Sequence, residues 1–138
     1  MSHRATVKTV INDLDFLKKT IKDLGFAFYE GQELTGEYTG RWSSEDRAAD
    51  LVMNINGRKD IGFRKGSDNY YTLVGDFFGF NMGEKALSNK IAQRYAVNKI
   101  QKEVASSSSY GINSLQESIL PNGDILLEGE IDEQQIVA

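Results

Sequence analysis

Residues 49–80 read "ADLVMNINGRKDIGFRKGSDNYYTLVGDFFGF", and this stretch has the clearest strand pattern in the chain. Apolar residues alternate with polar or small ones on both sides of Asn56-Gly57, a dipeptide that strongly favours a tight hairpin turn. A second turn signal, "GSDN", follows at residues 66–69. The pattern predicts three antiparallel strands in a meander, at residues 49–57, 60–66 and 70–80. The residues expected to point inward are Leu51, Met53, Ile55, Ile61 and Phe63.

The segments before the meander predict a strand, a helix and a second strand. Residues 3–10 alternate as a half-buried strand does, and "FAFYEG" at residues 26–31 is aromatic and ends in glycine. The helix between them is expected to have Asn12 as its N-cap and Gly25 as its left-handed stop. Its apolar stripe, with spacings of alternately four and three residues, consists of Val10, Leu14, Leu17, Ile21 and Leu24.

The segments after the meander predict a second helix and a terminal hairpin. The helix runs from about Gly83 to Val104, and Pro121 and Gly123 suit the turn of a hairpin over residues 112–131. The order of elements predicts an α+β fold: a single antiparallel sheet (strand, helix, meander, helix, hairpin) with the two helices packed on one face. We expect a single domain over residues 1–131 and a loose C-terminal tail at residues 132–138.

The composition excludes several classes of function. The 138 residues are 40% hydrophobic and 26% charged, as in a globular domain, and no apolar run approaches the ~20 residues of a membrane helix. There is no cysteine, and a single histidine, His3, so a disulfide, a thiolate metal site and a histidine-based triad are excluded. The net charge of −4 makes nucleic acid an unlikely partner. We expect a soluble cytoplasmic protein without a cofactor, and an enzyme is the less favoured class.

Two aromatic loops are the strongest surface signal. The polar loop at residues 36–47 carries Tyr38 and Trp42, and "GDFFGFNMGEK" at residues 75–85 places several aromatic residues before the second helix. Aromatic residues are enriched at the centres of protein interfaces, and loops often carry binding residues. Alternatively, the rings fold inward and complete the core, and both interpretations of the second loop stay open. The candidate aromatic residues are Tyr38, Trp42, Phe77, Phe78 and Phe80.

A second candidate site combines a carboxylate with residues of the second helix. Asp76 lies among apolar residues, so its charge needs a partner, which Arg64 or Arg94 can supply. Helical periodicity places Tyr95 in an apolar row and Arg94 on the polar stripe, and Gln93 projects between Ile100 and Val104. A partly buried Gln93 needs a hydrogen bond, and most such residues are structural. Asp50, Asp60 and Glu84 are further acids that the sheet can bring near Asp76.

An ordered set of short segments resembles a known family. "MSH", "IKDLG", "ADLVM", "DIGF", "YYTLVGDF" and "IAQRYA" occur in this order over roughly residues 1–105. The chain resembles the family called hypothetical chloroplast reading frame thirty-five, of cyanobacteria and algal plastids. The resemblance implies a small soluble α+β protein of the cyanobacterial cytoplasm or plastid stroma. It also implies an accessory role, with an ATPase of the AAA class as one partner. Matching positions are His3, Gly62, Phe63, Asp76, Gln93, Arg94 and Tyr95.

Three hypotheses of function follow from the sequence. The first is a non-catalytic binding or adaptor domain that engages a protein partner through the aromatic loops. The second is a small-molecule or catalytic site at which Asp76, Arg94 and Gln93 converge. The third is RNA binding through the lysines of the two helices, which would weaken steeply with salt. The first is favoured, and the oligomeric state stays open.

Overall fold

A computed structural model describes residues 4–78, 82–106, 112–122 and 124–131. His3, Phe80 and the tail predicted at 132–138 lie outside these residues. The strands are β1 (Arg4–Lys8), β2 (Ala27–Glu30), β3 (Leu51–Ile55), β4 (Arg58–Lys65), β5 (Tyr71–Asp76), β6 (Ile112–Ile119) and β7 (Ile125–Ile131). The helices are α1 (Leu14–Asp23), the short α2 (Ser44–Arg47) and α3 (Glu84–Ser106), and a 3₁₀ turn spans Thr39–Arg41. The α+β fold class is confirmed.

The meander forms the centre of a five-stranded antiparallel sheet with the order β1-β5-β4-β3-β2. Asn56 and Gly57 both have positive φ angles, 52° and 88°, which is the geometry of the hairpin turn that the Asn-Gly dipeptide predicts. Leu51 pairs with Phe63, and Phe63 pairs with Leu73, so these residues share one face of the sheet. This first face is sealed, because Leu51, Phe63 and Leu73 are all fully buried. Burying each such side chain stabilises the fold by about 1.5–3 kcal/mol.

The second face of the sheet is covered by an irregular segment, residues 31–50, which we call the covering segment. Leu34 of this segment is fully buried and forms a cluster with Val52 and Val74 from the second face. Gly62 allows this close approach, because a Cβ there would collide with the Leu51 carbonyl oxygen and lie 3.2 Å from Leu34 Cδ2. The sheet is therefore buried on both faces, and the nearly continuous burial of β4 and β5 reflects this.

Helix α1 begins later than its apolar periodicity predicts. Asp13, and not Asn12, is the N-cap: its Oδ1 accepts a hydrogen bond of 3.2 Å from the Phe16 backbone N–H. Val10 lies outside the helix and is 76% exposed, so the stripe loses its first predicted member. The predicted stop is confirmed at Gly25, which has a φ of 87° and donates its N–H to the Lys22 carbonyl oxygen.

The chain forms two compact units, residues 1–94 and residues 95–138. The first unit contains the five-stranded sheet. In the second unit β6 and β7 pair as the predicted hairpin, but they form a separate two-stranded sheet, which corrects the prediction of a single sheet. Because β6 and β7 are adjacent in sequence, they can form backbone hydrogen bonds with each other and need no strand of the first sheet as a partner. The turn is closed by the Leu120 N–H, which donates to the Asp124 carbonyl oxygen at 2.8 Å.

Candidate binding cleft

A cleft of about 640 Å³ opens on the second face of the sheet, where β4 begins and β5 ends. The covering segment forms one wall, and the β3–β4 turn with the first residues of β4 forms another. The last residue of β5 and the residues after it complete the cleft. Its lining consists of Thr35, Gly36, Glu37, Tyr38, Gly57, Arg58, Lys59, Asp60, Asp76 and Phe78. Three residues predicted for binding, Tyr38, Asp76 and Phe78, are thus brought together.

Two carboxylates form the floor of the cleft. Asp60 and Asp76 lie one position beyond the Ile61–Gly75 pair of β4 and β5, so they face each other across the two strands. Both are buried, with 8% of Asp60 and 2% of Asp76 exposed. Like charges directly opposite each other in a sheet repel, so this pair needs a cation beside it.

Arg58 supplies that cation. Its Nη2 donates to Asp60 Oδ2 at 2.8 Å and to the carbonyl oxygen of Asp76 at 2.9 Å. Arg58 lies two residues before Asp60 on β4, and side chains two apart on a strand point to the same face. The arginine was not predicted, although this spacing was the signal that would have identified it. Arg64, one of the two predicted partners of Asp76, instead donates to the carbonyl oxygens of Ala48 and Asp46 at 2.9 and 3.0 Å.

Buried polar atoms near the cleft lack hydrogen-bond partners. Among the described residues, Asp60 Oδ1 and Thr39 Oγ1 are enclosed and make no hydrogen bond. An unsatisfied buried polar group costs about 1–3 kcal/mol, and more when it is charged. The close fit around Asp60 is visible at Gly36, where a Cβ would lie 3.2 Å from the Asp60 Cβ and 3.5 Å from Thr39 Oγ1. The unpaired Asp60 oxygen is therefore a buried acceptor whose hydrogen-bonding capacity the fold leaves unused.

Two aromatic rings stand at the rim of the cleft. Tyr38 and Phe78 pack edge to face, with ring centroids 6.2 Å apart and an interplanar angle of 85°. Asp76 positions this end of the chain, because its Oδ1 accepts a hydrogen bond of 3.0 Å from the Phe78 N–H. Phe78 is 49% exposed whereas Phe77 is 5% exposed, so the two adjacent rings divide between surface and core.

Trp42 lies apart from the cleft lining. Its half-buried ring packs against the cluster of Leu34, Val52 and Val74, and the Arg4 guanidinium lies over it, 4.8 Å from the ring centroid. Arg4 also forms an ion pair with Asp46, whose pKa is lowered, first of all by the hydrogen bond from Arg4. These contacts attach the covering segment to β1, and the predicted binding role of Trp42 stays a prediction.

The polar residues of α3 do not belong to the cleft lining. Gln93 and Arg94 are half-buried on α3, and neither is among the described residues that line the cleft with Asp76. Tyr95 is buried, as its place in the apolar row predicts. Of the other predicted acids, Asp60 lines the cleft, whereas Asp50 Oδ2 accepts a hydrogen bond from the Lys65 N–H. The roles proposed for Gln93 and Arg94 stay predictions.

The surface lysines of α1 lie beside acidic or aromatic residues. Lys18 pairs with Glu30, and this hydrogen bond raises the pKa of the Lys18 ammonium. Lys19 pairs with Asp23 at 2.8 Å, and the Lys22 ammonium lies 5.7 Å from the centroid of the Phe28 ring.

Within the described residues no group of three or more histidine, cysteine, aspartate or glutamate residues could hold a metal ion. Among the helices that the described residues form, none is both long enough and apolar enough to cross a membrane.

Comparison with known proteins gives matches over most of the chain. A family model described as a protein of unknown function (DUF1257) matches residues 20–125. The uncharacterized protein ycf35 of Guillardia theta is 32% identical over 129 residues, which cover 92% of this chain and 94% of the relative. The uncharacterized protein ycf35 of Pyropia yezoensis is 26% identical over 132 residues, with the same coverage. No solved structure gives a significant match.

Proposed function

This chain belongs to the DUF1257 family of proteins of unknown function, and from the chemistry of its cleft we propose that it is a non-catalytic binding domain. The cleft receives a segment of a partner protein, as an adaptor or accessory domain does. The observation that carries the proposal is the pair of the half-buried Tyr38 and the exposed Phe78 at the rim of a cleft whose floor has an unsatisfied acceptor, Asp60 Oδ1.

The rim favours a protein segment as the ligand. A ring that is 49% exposed, as in Phe78, loses contact with water when an apolar part of a partner covers it. Tyr and Phe are enriched at the centres of protein interfaces for this reason, because they offer a large apolar area with little side-chain freedom to lose. A half-open cleft of about 640 Å³ has room for two or three side chains of an extended segment.

The setting and the partner belong to the same proposal. We place the protein in the cyanobacterial cytoplasm or the plastid stroma, which the resemblance of its short segments implies. An ATPase of the AAA class is the first partner to assay, since the resemblance suggests it. Both statements are tested with the experiment that follows.

The test is site-specific photocrosslinking in the native host. A photoreactive phenylalanine analogue replaces Phe78 in one strain and Tyr70 in a control strain; Tyr70 is 41% exposed and lies outside the cleft lining. We expect one protein to be crosslinked from position 78 and not from position 70. The purified partner should then bind the wild-type protein and the Tyr70→Ala variant equally well. Binding to Tyr38→Ala and Phe78→Ala should be at least about ten-fold weaker, which corresponds to about 1.4 kcal/mol for each ring. Equal crosslinking from both positions, or equal binding by all the variants, would refute the proposal.

A further inference from the structure

We propose that the cleft recognises a basic side chain, a guanidinium or an ammonium group, with Asp60 as its anchor. This inference rests on the proposed function and names the chemistry of the partner segment. It is carried by three features: the charges of the lining, the unsatisfied oxygen of Asp60 and the aromatic rim.

The charges around the cleft leave it anionic. Its lining contains three acids, Glu37, Asp60 and Asp76, and two bases, Arg58 and Lys59. The Lys59 ammonium lies over the ring of Tyr29, 4.7 Å from its centroid, on a residue outside the lining. Arg58 is bound to Asp60 Oδ2 and to the backbone carbonyl oxygen of Asp76. A ligand with a positive charge therefore fits the cleft better than a neutral or an anionic one.

Asp60 is the residue that gains most from a cationic donor. The carboxylate is held by Arg58 through Oδ2 alone, and Oδ1 has no partner among the described residues. Oδ1 is enclosed, but the terminal torsion of aspartate is soft, so a small rotation turns this oxygen toward the cleft. A hydrogen bond from a charged donor to a shielded carboxylate is roughly twice as strong as one between neutral groups. The ligand would thus remove an unfavourable buried acceptor and gain a strong bond at the same time.

The rim suits the rest of a basic side chain. Arginine and lysine have apolar stems that pack along aromatic surfaces, and their charged ends are attracted to the faces of the rings. Tyr38 already shows this behaviour within the protein, since the Arg41 guanidinium lies 5.7 Å from its ring centroid. Phe78 adds a second ring beside it. A side chain that enters between the rim and the floor meets aromatic surface first and the carboxylate of Asp60 last.

The experiment compares two nearly isosteric probes on the intact protein. N-acetyl-arginine amide carries a guanidinium, and N-acetyl-citrulline amide replaces it with a neutral urea group. Each is titrated into ¹⁵N-labelled protein, and the backbone amide shifts of Gly36, Gly57 and Phe78 report on the cleft. We expect saturable shifts with the arginine probe, with a dissociation constant in the millimolar range, and binding of the citrulline probe weaker by about ten-fold or more. N-acetyl-lysine amide tests the ammonium alternative in the same way.

Matched variants locate the binding. Asp60→Asn removes the anchor charge and should weaken the arginine probe by about ten-fold or more, whereas Asp50→Asn removes an exposed carboxylate outside the lining and should change nothing. The amide spectrum of each variant shows whether it is folded. If Asp60→Asn does not fold, Glu37→Gln at the exposed rim replaces it, with an expected weakening of about two-fold because that charge is solvated.

The outcomes separate this inference from the proposed function. Equal shifts with arginine and citrulline, or binding that both Asp60→Asn and Glu37→Gln leave unchanged, would overturn the choice of a basic ligand. The photocrosslinking from position 78 would still stand in that case. Conversely, selective binding of the arginine probe without any crosslinked protein would keep the recognition chemistry and remove the protein partner.

Discussion

The two ends of the β4–β5 pair serve opposite purposes. Toward one end Phe63 and Leu73 face each other on the first face of the sheet, fully buried and apolar. At the other end Asp60 and Asp76 face each other, also buried but charged, beside a cleft and with one unsatisfied oxygen. Apolar burial is the main stabilising term in folding, whereas paired buried carboxylates oppose it. A sheet that tolerates such a pair has its stability elsewhere, and this separation points to function at the charged end.

The largest effect on stability is expected at the apolar end. Phe63→Ala should lower the free energy of unfolding by about 3–5 kcal/mol, because it removes a fully buried ring and leaves a cavity. The matched change Phe78→Ala, at a ring that is 49% exposed, should stay within about 0.5 kcal/mol. Chemical denaturation of the two variants measures both values. A loss of more than about 2 kcal/mol at Phe78, on the scale of a core truncation, would contradict a surface role for that ring.

The next effect concerns the close contact between the strands beside the carboxylates. Gly75→Ala should lower the free energy of unfolding by about 1–3 kcal/mol, because the added Cβ would collide with the Asp60 carbonyl oxygen and the Ile61 Cα. Gly40→Ala is the control, because a Cβ at Gly40 has open space around it. Denaturant midpoints of the two variants give the comparison. Similar losses of unfolding free energy in the two variants would contradict this prediction. They would show that the strands at Gly75 shift enough to accommodate the added Cβ.

The charged end itself is probed by removing its cation. Arg58→Met should destabilise the protein by about 1–3 kcal/mol, because it removes the guanidinium that donates to Asp60 Oδ2 and to the carbonyl oxygen of Asp76. The double variant Arg58→Met with Asp60→Asn should recover about 0.5–2 kcal/mol of that loss, since one of the two charges is gone. Additive effects in this cycle would mean that Arg58 stabilises the protein independently of the Asp60 charge. Lys19→Met, at an exposed lysine paired with Asp23, is the control and should change stability by at most ~1 kcal/mol.

The sequence predicts the apolar end far better than the charged end. The sequence predicts the three strands of the meander because Leu51, Ile61 and Phe63 follow strand periodicity. Asn56-Gly57 strongly favours the tight turn that joins the first two strands. Asp76 and the rings Tyr38 and Phe78 were identified one by one as binding candidates, from their residue types. Their convergence was not predictable, because it depends on the register of β4 against β5 and on the path of the covering segment.

The sequence does not predict the burial of core residues that lie outside periodic segments. Leu34 is fully buried, yet it lies in an irregular segment in which no neighbouring pattern marks it as a core residue. Its burial depends on Gly62, which lies in another strand and provides the space for it. Arg64 donates to the backbone of the covering segment, whereas Arg58 pairs with Asp60, because register and not residue type decides which of these two arginines is near the carboxylates.

The smallest effect concerns the attachment of the covering segment to β1 and depends on pH. The hydrogen bond from Arg4, with a smaller one from Ser43, lowers the pKa of Asp46 below its ordinary value of 3.8 in the folded protein. A carboxyl group with a lowered folded-state pKa contributes stability above its unfolded value, and this contribution is lost as the pH falls through the folded value. The Arg4–Asp46 pair therefore stabilises the protein at pH 7, and this contribution declines as the pH falls below 3.8 and through the lowered folded-state pKa.

Arg4→Met tests this attachment. A ¹³C NMR titration of the Asp46 carboxyl should show its pKa moving up toward 3.8 in the variant, because the main cause of the lowering is gone. Part of the gap in thermal midpoint between wild type and Arg4→Met should disappear as the pH falls below that value, since the wild type then loses the same ion pair. Part should persist, because Arg4 also lies over the ring of Trp42, and that contact does not titrate. A gap that is independent of pH would assign the whole effect of Arg4 to the stacking on Trp42. The covering segment would then be attached to β1 mainly through that aromatic contact.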